Sequence, residues 1–493
     1  MSLTSILVMI ALAALIFILN QWPRTRRLRK PLMLIFSVGV IFWLQPALPI
    51  RGLDFWLPVA TLLVVALGWL ITSSNEERDQ RNNLIGASLI TGTVLLVALT
   101  RYLSLTGLIT PSRPPQFLIV VLVLTASSLG TFLLCRLLAS KRLPTQTSRE
   151  PKHVGILFGI TTLFILLIFV LLKMPILTQW ASALLREWSG QSRELASAFD
   201  IRWLGFSYIA FRLIHTLRDR QNRRLPLMSL DEYFIYMLFF PAISAGPIDR
   251  SERFLRDLRS EVIPYNENLG IASKRLVIGL LKKFVLADLL ALIALNGVNA
   301  LQITSTGWAW ILVYAYTLQI FFDFSGYTDI AIGMGLLMGV KLPENFDHPY
   351  LKPNLTQFWN NWHMTLTQWF RAYFFNPFTR AMRSVKKPLP AWLVILITQV
   401  STMLLIALWH GITINFVFWG LWHGLGMFIQ NRWSDWTRPL SARIQEKPGL
   451  NRLVTGLTTL LTFHFVALGW VWFALPSVKT SAGVFARLLG LGG

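Results

Sequence analysis

Between residues 3 and 217 one pattern recurs: an apolar stretch of about 20 residues, then a short polar loop. The stretches fall near 3–21, 31–49, 53–72, 84–100, 116–139, 153–173 and 201–217. A helix of about 20 residues rises about 30 Å, the thickness of a bilayer's hydrocarbon core. The strict alternation of a membrane β-barrel is missing. Charge agrees with helices in lipid, because only 14% of residues are charged, against roughly a quarter in soluble proteins. The reading is an all-α polytopic membrane protein of about 11–13 transmembrane helices, with re-entrant and interfacial helices between them.

The net charge of +23 would suggest nucleic acid in a soluble chain. Here the cations sit in alternate loops: 22–30, 73–83, 141–152 and 218–224. The loops near 50–52, 101–115 and 174–200 are shorter or charge-balanced. That asymmetry is the positive-inside pattern, so the expected partner of the charge is anionic lipid, not nucleic acid. The basic run RTRRLRK at 24–30 follows the first apolar stretch, as in a first anchor with its N-terminus outside. Most of the 20 tryptophans read as interfacial belts. A single cysteine, Cys135, leaves no intrachain disulfide. Residues 174–200 are too polar to span and read as an amphipathic surface helix.

After residue 218 the alternation stops. The expected division is 1–229, N-terminal transmembrane helices, and 230–493, a core within one integral membrane domain. In the run ending FPAISAGP, Pro241, Gly246 and Pro247 break any helix, so a re-entrant element buried in protein is expected. Residues 341–387 mix polar, aromatic and basic residues with four prolines and read as helical pieces at or dipping into the cytoplasmic face. Residues 389–430 are too long for one crossing and must break, with His410 near the midpoint.

Polar residues inside such a chain are functional hypotheses. His153 and His215 lie at span ends beside basic loops and read as interfacial. His464 reads as paired with a neighbouring helix, and His348 as solvated in a Pro-flanked loop. Three histidines remain. His363 stands in QFWNNWHMTLTQWFR (357–371). On a continuous helix Trp359, His363 and Phe370 share a face, with Asn360 and Thr367 a turn either side. His410 and His423 both occur in Trp-His-Gly, at Trp409-His410-Gly411 and Trp422-His423-Gly424. Thirteen residues apart is about 220° of helix, so they share no site unless the helix breaks between them. Composition does not choose between the copies. Asp323 is a carboxylate in an apolar run, for which pairing with an arginine and catalysis are equally open. No metal motif, Walker A or GxGxxG sequence is present, and no metal or bound cofactor is expected.

Two stretches carry a resemblance: FFDFSGYTDIAIGMGLLMGVKLPENFDHPYLKPNLTQFWNNWHMTLTQWFRAYFFNPF (321–378) and ALWHGITINFVFWGLWHG (407–424), joined by PAISAGPI (241–248) and GWVWFALPS (469–477). Together they resemble the membrane-bound O-acyltransferase family, and within it the bacterial branch of alginate O-acetylase and teichoic-acid D-alanyl transferase. The resemblance implies helices around a central tunnel. It implies His410 as the catalytic histidine and His363 as its partner, whereas His423 matches a non-catalytic position. Substrate or donor contacts are implied, with less support, for Asn360, Asn361, Trp362, Asp323, Arg371 and Trp409. Many relatives carry Arg or Lys where Asn361 stands, so a donor phosphate would here need another cation, such as Arg371 or Lys352.

The activity so implied is transfer of an acyl group, acetyl by preference, from a cytoplasmic thioester to a hydroxyl of an exported polysaccharide or its carrier protein. The donor would be acyl-CoA (acetyl-CoA) or an acyl-carrier thioester. The family also implies a partner, an extracytoplasmic acetyltransferase or acyl-acceptor protein, and a bacterial plasma-membrane location. D-alanyl transfer to a teichoic acid or lipid is the alternative. A multi-span transporter of lipid or glycan is the alternative of another class, and it would show internal repeats, which the sequence lacks.

Overall fold

The computed structural model describes residues 1–78, 81–103, 109–140, 152–260, 265–385 and 389–491. The basic loop 141–151 lies outside the described residues, as do the side chains of Cys135 and His153. Among the described residues the regular elements are helices, with one isolated bridge between Phe346 and Trp362.

One compact unit comprises Met1–Leu276 and Ala331–Leu342. It holds α1 (Leu3–Asn20), α2 (Arg29–Leu44), α3 (Leu53–Thr72), the single turn α4 (Asn75–Arg78), α5 (Arg81–Leu99), α6 (Phe117–Ser140), α7 (Lys152–Lys173), α8 (Pro175–Trp188), α9 (Phe206–Gln221), α10 (Leu230–Leu238), α11 (Ser251–Arg259) and most of α12 (Tyr265–Leu281). The apolar stretches of the sequence thus become helices within a few residues of their expected limits.

The other unit comprises Val277–Ile330 and Pro343–Gly493. It holds α13 (Asp288–Ala291), most of α14 (Thr306–Leu337), α15 (Leu355–Asn361), α16 (Met364–Phe370), α17 (Asn376–Arg383), α18 (Ala391–His410), α19 (Ile414–Trp436), α20 (Arg438–Gln445), α21 (Pro448–Ala474) and α22 (Val478–Leu488). Leu312 and Val313 of α14, Val471 of α21 and Val484 and Leu488 of α22 form part of its buried core. Asn415, at the start of α19, donates to Leu475 O at 2.8 Å and Ser481 Oγ at 3.1 Å, fixing the turn after α21.

This is an all-α polytopic membrane protein. Among the described residues six helices are long and apolar enough to cross a bilayer: α1, α3, α5 with its continuation to Tyr102, α14, α18 and α21. A seventh crossing is possible if α7 and α8 are one bent span. Helices α2 and α9 have 16 residues each, a rise of about 24 Å.

Helix α8 meets α7 at 92°. Its Thr178, Ser182 and Arg186 are buried on one face. Asp200 Oδ2 accepts from Ser182 Oγ at 2.6 Å and from Arg186 Nε at 2.8 Å, and these bonds hold the Asp200 carboxyl below the usual range against the opposing effect of burial. Ile176, Trp180 and Trp188 are exposed. The expected amphipathic helix therefore forms with its polar face inward and its apolar face outward.

The break at FPAISAGP also forms. Helix α10 ends at Leu238, a 3-10 turn covers Phe240–Ala242, and helix resumes only at Ser251. Phe239, Phe240, Ala242 and Ile243 are all buried. Ending a helix there frees carbonyls that no water reaches. Arg212 of α9, 2% exposed, meets them: its guanidinium donates to Tyr236 O at 3.1 Å, Met237 O at 2.7 Å and Ala242 O at 3.3 Å. His215, expected at an interface, is also buried, with Nε2 2.8 Å from Asp219 Oδ2. The neighbouring tyrosine, Tyr236, donates to Asp249 O at 2.8 Å. One turn of α9 thus closes the break in the segment that follows it.

Arg212→Leu should therefore destabilise the protein well beyond the loss of a surface arginine. It orphans three buried carbonyls at about 1–3 kcal/mol each. A thermal-unfolding assay in detergent should show a large drop in midpoint, which Arg212→Lys, with one donor head in place of a fork, restores only in part.

Candidate active site

The site is assembled on two helix breaks. The first ends α18. His410 is its last residue, Gly411 is extended (φ −177°), and α19 begins at Ile414. The 389–430 run is thus two helices joined by a three-residue turn, as its length required. Gly411 has no room for a side chain, because a Cβ would lie 2.6 Å from Phe416 Cε2. The two helices then run against each other through small residues. A Cβ at Gly420 would lie 3.0 Å from Ala407 Cβ, and one at Gly424 2.9 Å from Val400 Cα.

The second break separates α15 from α16, and it corrects the continuous helix expected over 357–371. Trp362 is extended, and His363 is in the left-handed region (φ 44°), which is sparsely used by residues other than glycine. The cause lies 18 residues upstream. Segment 345–347 runs beside the break: Asp347 N donates to Asn361 O at 3.1 Å and Met364 N to Asn345 O at 2.9 Å. Phe346 and Trp362 form the isolated bridge. Trp359, His363 and Phe370 consequently do not share the face of one helix.

These breaks bring His363 and His410 to the wall of one cavity of about 40 Å³. Thr367 also lines it, and six aromatic residues, among them Phe324, Trp419 and Phe473, and three aliphatic ones make up the rest. The space suits one small group; a single water needs at least about 10–15 Å³. His363 packs edge-on against Phe324 at 4.7 Å between ring centroids, and His410 against Phe473 at 4.8 Å. Trp409 stands between the two histidines, its ring 6.2 Å from His363 and 4.6 Å from His410. His363 lies outside the membrane-spanning helices. Its burial pushes the imidazole pKa well below the ordinary value, and His410 lowers it further, so the ring is neutral at physiological pH. Its Nδ1 is 3.0 Å from Asn345 Oδ1, and its Nε2 is buried without a hydrogen-bond partner.

The other sequence candidates are distributed more widely. Trp362 lines the cavity. Asn360 accepts a hydrogen bond from Arg371, and Asn361 donates to Gln357 O at 2.8 Å. Asp323 pairs with Lys283, not with an arginine, and Asp329 pairs with Lys282 at 2.7 Å. Both lysines belong to a π-turn over Lys282–Ala287, beside a crossing where a Cβ at Gly279 would lie 2.7 Å from Gly326 O. Lys352 pairs with Asp347 at 3.1 Å. None of Asp323, Asn360, Asn361, Arg371, Lys352 and Trp409 is among the residues lining the cavity.

Two of the remaining histidines, His464 and His348, fall as the sequence predicts. His464 Nε2 is 2.9 Å from Tyr314 Oη, the expected pairing between neighbouring helices. His348 is exposed beside Asp347. His423 is fully buried mid-helix with neither ring nitrogen hydrogen-bonded, and it packs where a Cβ on Gly469 would be 2.6 Å from its Nε2. It is not a lining residue of the cavity. Sequence reasoning missed Asn345, Trp419 and Phe473. All three stand in quoted motifs, and Asn345 is an amide beside an aromatic in a Pro-flanked loop. Among the described residues no three acidic, His or Cys side chains gather as a metal site.

A family model described as MBOAT, membrane-bound O-acyltransferase family, matches residues 156–454. The chain is 34% identical over 280 residues to the teichoic acid D-alanyltransferase of Bacillus subtilis, which covers 56% of this chain and 69% of the relative. It is 32% identical over 293 residues to the probable alginate O-acetylase AlgI of Pseudomonas syringae, covering 59% and 52% respectively. It is 32% identical over 265 residues to the peptidoglycan O-acetyltransferase of Helicobacter pylori, covering 53% and 47%. The chain thus spans about half the length of the last two. With more than half of its residues matched by the family model, this multi-span membrane protein is an acyltransferase that belongs to the membrane-bound O-acyltransferase family.

Proposed function

We propose that this protein transfers an acyl group, acetyl by preference, from a cytoplasmic thioester to a hydroxyl of an exported polysaccharide or of the protein that carries the group onward. The observation that supports this most directly is the shared cavity: two helix breaks, 47 residues apart in histidine position, place His410 and His363 on one small, aromatic-walled space. An O-acyl transfer needs a base and a dry environment for a weak nucleophile.

In this reading His410 is the general base. It takes the proton of the acceptor hydroxyl as the oxygen attacks the thioester carbonyl. The new C–O bond forms, the C–S bond breaks, and the proton passes from His410 to the leaving sulfur. Aromatic rings pack against the imidazole, that of Phe473 at 4.8 Å between centroids. Positioned general-base catalysis of this kind contributes about 10²–10⁴-fold. The donor would be acyl-CoA or an acyl-carrier thioester reaching the site from the cytoplasmic face. The acceptor would arrive from the opposite face, with the cavity as the narrow point of a protein-lined path. A separate extracytoplasmic protein completes delivery to the glycan, and the bacterial plasma membrane is the proposed location. The named activity of the Bacillus subtilis relative favours a second reading of the same site, D-alanyl transfer to a teichoic acid.

The test is thiol release from acyl-CoA or an acyl carrier by the purified protein with its acceptor. His410→Gln should lower transfer by at least about 10²-fold with thermal stability retained, and His363→Gln should also lower it. Full activity in His410→Gln would sink the assignment. His423→Leu should keep the parent rate and fold, because it removes two buried ring nitrogens that have no partners. Mass spectrometry of the cell's glycan with and without the protein separates the two readings: an acetyl increment supports the first, an alanyl increment the second.

A further inference from the structure

We propose that Asn345 is a positioning residue that holds His363 in the Nδ1–H tautomer, so that His363 meets whatever enters the cavity as a hydrogen-bond acceptor and not as a donor. The tautomer stands on geometry alone; its meaning for catalysis rests on the acyl-transfer reading above.

Asn345 is fully buried. Its side-chain oxygen faces three groups: Thr365 N at 3.2 Å, Thr365 Oγ1 at 2.9 Å and His363 Nδ1 at 3.0 Å. The amide's orientation is set by the first of these, at the cost of leaving Nδ2 buried without a hydrogen-bond partner. A backbone N–H only donates, so the atom facing Thr365 N must be the oxygen; turning the amide over would set an NH₂ against an N–H. An oxygen there accepts from His363 as well, and a neutral imidazole carries one proton. That proton is therefore on Nδ1, and Nε2 is a bare lone pair. Nε2 is buried and has no hydrogen-bond partner, in a ring that lines the cavity.

The main chain locks this arrangement. Met364 N donates to Asn345 O at 2.9 Å, so Asn345 holds the break through both its backbone and its side chain. The left-handed conformation of His363 (φ 44°) is the strain that this clamp maintains. The consequence concerns roles. A developing oxyanion needs donors, and neutral His363 offers none at Nε2. Its lone pair suits the hydroxyl side of the reaction, where a proton must be accepted. His410 is the titratable neighbour that acts on it electrostatically, so the two rings form one proton-accepting pair.

The experiment is ¹⁵N NMR of histidine-labelled full-length protein in nanodiscs, simplified by a chain of seven histidines, with His363 assigned by its loss in His363→Gln. The expected spectrum has a protonated-type Nδ1 and an unprotonated-type Nε2. Alongside it, transfer rates are measured against pH. Asn345→Ala should lower kcat by about 10–100-fold, the usual loss when the outer partner of an oriented histidine is removed, with little change in KM. Asn345→Asp still accepts from Nδ1, so it should keep more activity. Its carboxylate raises the pKa of His363, and the acid limb of the rate profile should move up by about one pH unit or more. A His363 protonated on Nε2, or an Asn345→Asp profile superimposable on the parent's, overturns the proposal. If Asn345→Ala fails to fold, the spectrum of the unsubstituted protein decides. If the ring shows Nδ1–H but His363→Gln transfers at the parent rate, the catalytic reading of His363 falls and the tautomer assignment stands. An Nε2–H ring together with an inactive His363→Gln gives the reverse.

Discussion

Every backbone N–H and C=O freed by a helix break inside a membrane protein has to find its partner within the chain, since no water is at hand. That requirement organises this structure. Arg212 meets the carbonyls freed at the end of α10. Arg29 Nε and Nη2 donate to Met338 O at 2.9 Å and Asp257 O at 3.2 Å, at the ends of two other helices. Asn345 meets the N–H groups at the start of α16, and Asn415 the carbonyl of Leu475. Guanidinium and amide groups suit this work because each offers several hydrogen-bonding positions in a fixed plane. The breaks that create the candidate site are thus supported by the same chemistry as those that only shape the fold.

Aromatic rings supply what the breaks do not. A catalytic imidazole must be kept from water yet remain able to take a proton. Aromatic rings pack around His363 and His410, and no carboxylate is among the residues lining their cavity. The carboxylates of α14 are held elsewhere, Asp323 and Asp329 each on a lysine of the π-turn. A neutral His363 and lysine-paired acids both leave little unpaired charge in this part of the chain.

Local features were legible in the sequence. The spans, the amphipathic α8, the break after His410 and the pairing of His464 all follow from length, periodicity or an apolar context within a few residues. Features set by distant segments were not. Nothing in 357–371 says that His363 leaves the helix, because the cause is the strand-like passage of 345–347 beside it. Arg212 reads as an oddity in an apolar run until the carbonyls of residues 236, 237 and 242 arrive at its guanidinium. His215 looks interfacial beside its basic loop, yet tertiary packing buries it. The family resemblance pointed to His363 and His410 together; helical geometry alone would have set His363 on the wrong surface.

The repeated Trp-His-Gly shows why a motif needs its backbone. Both copies place an imidazole between an indole and a glycine. In the first, the glycine is extended and ends a helix, so the histidine sits at a terminus with space beside it. In the second, the glycine lies within α19 against Val400, and the histidine is packed among rings and does not line the cavity. The residues are the same, and the difference is whether the chain breaks after them. The ring of Phe416 occupies the place where a Cβ on residue 411 would sit, so the glycine of the first copy is what lets the turn close. Phe416, six residues beyond the histidine, thus packs against the turn that leaves His410 at the cavity wall.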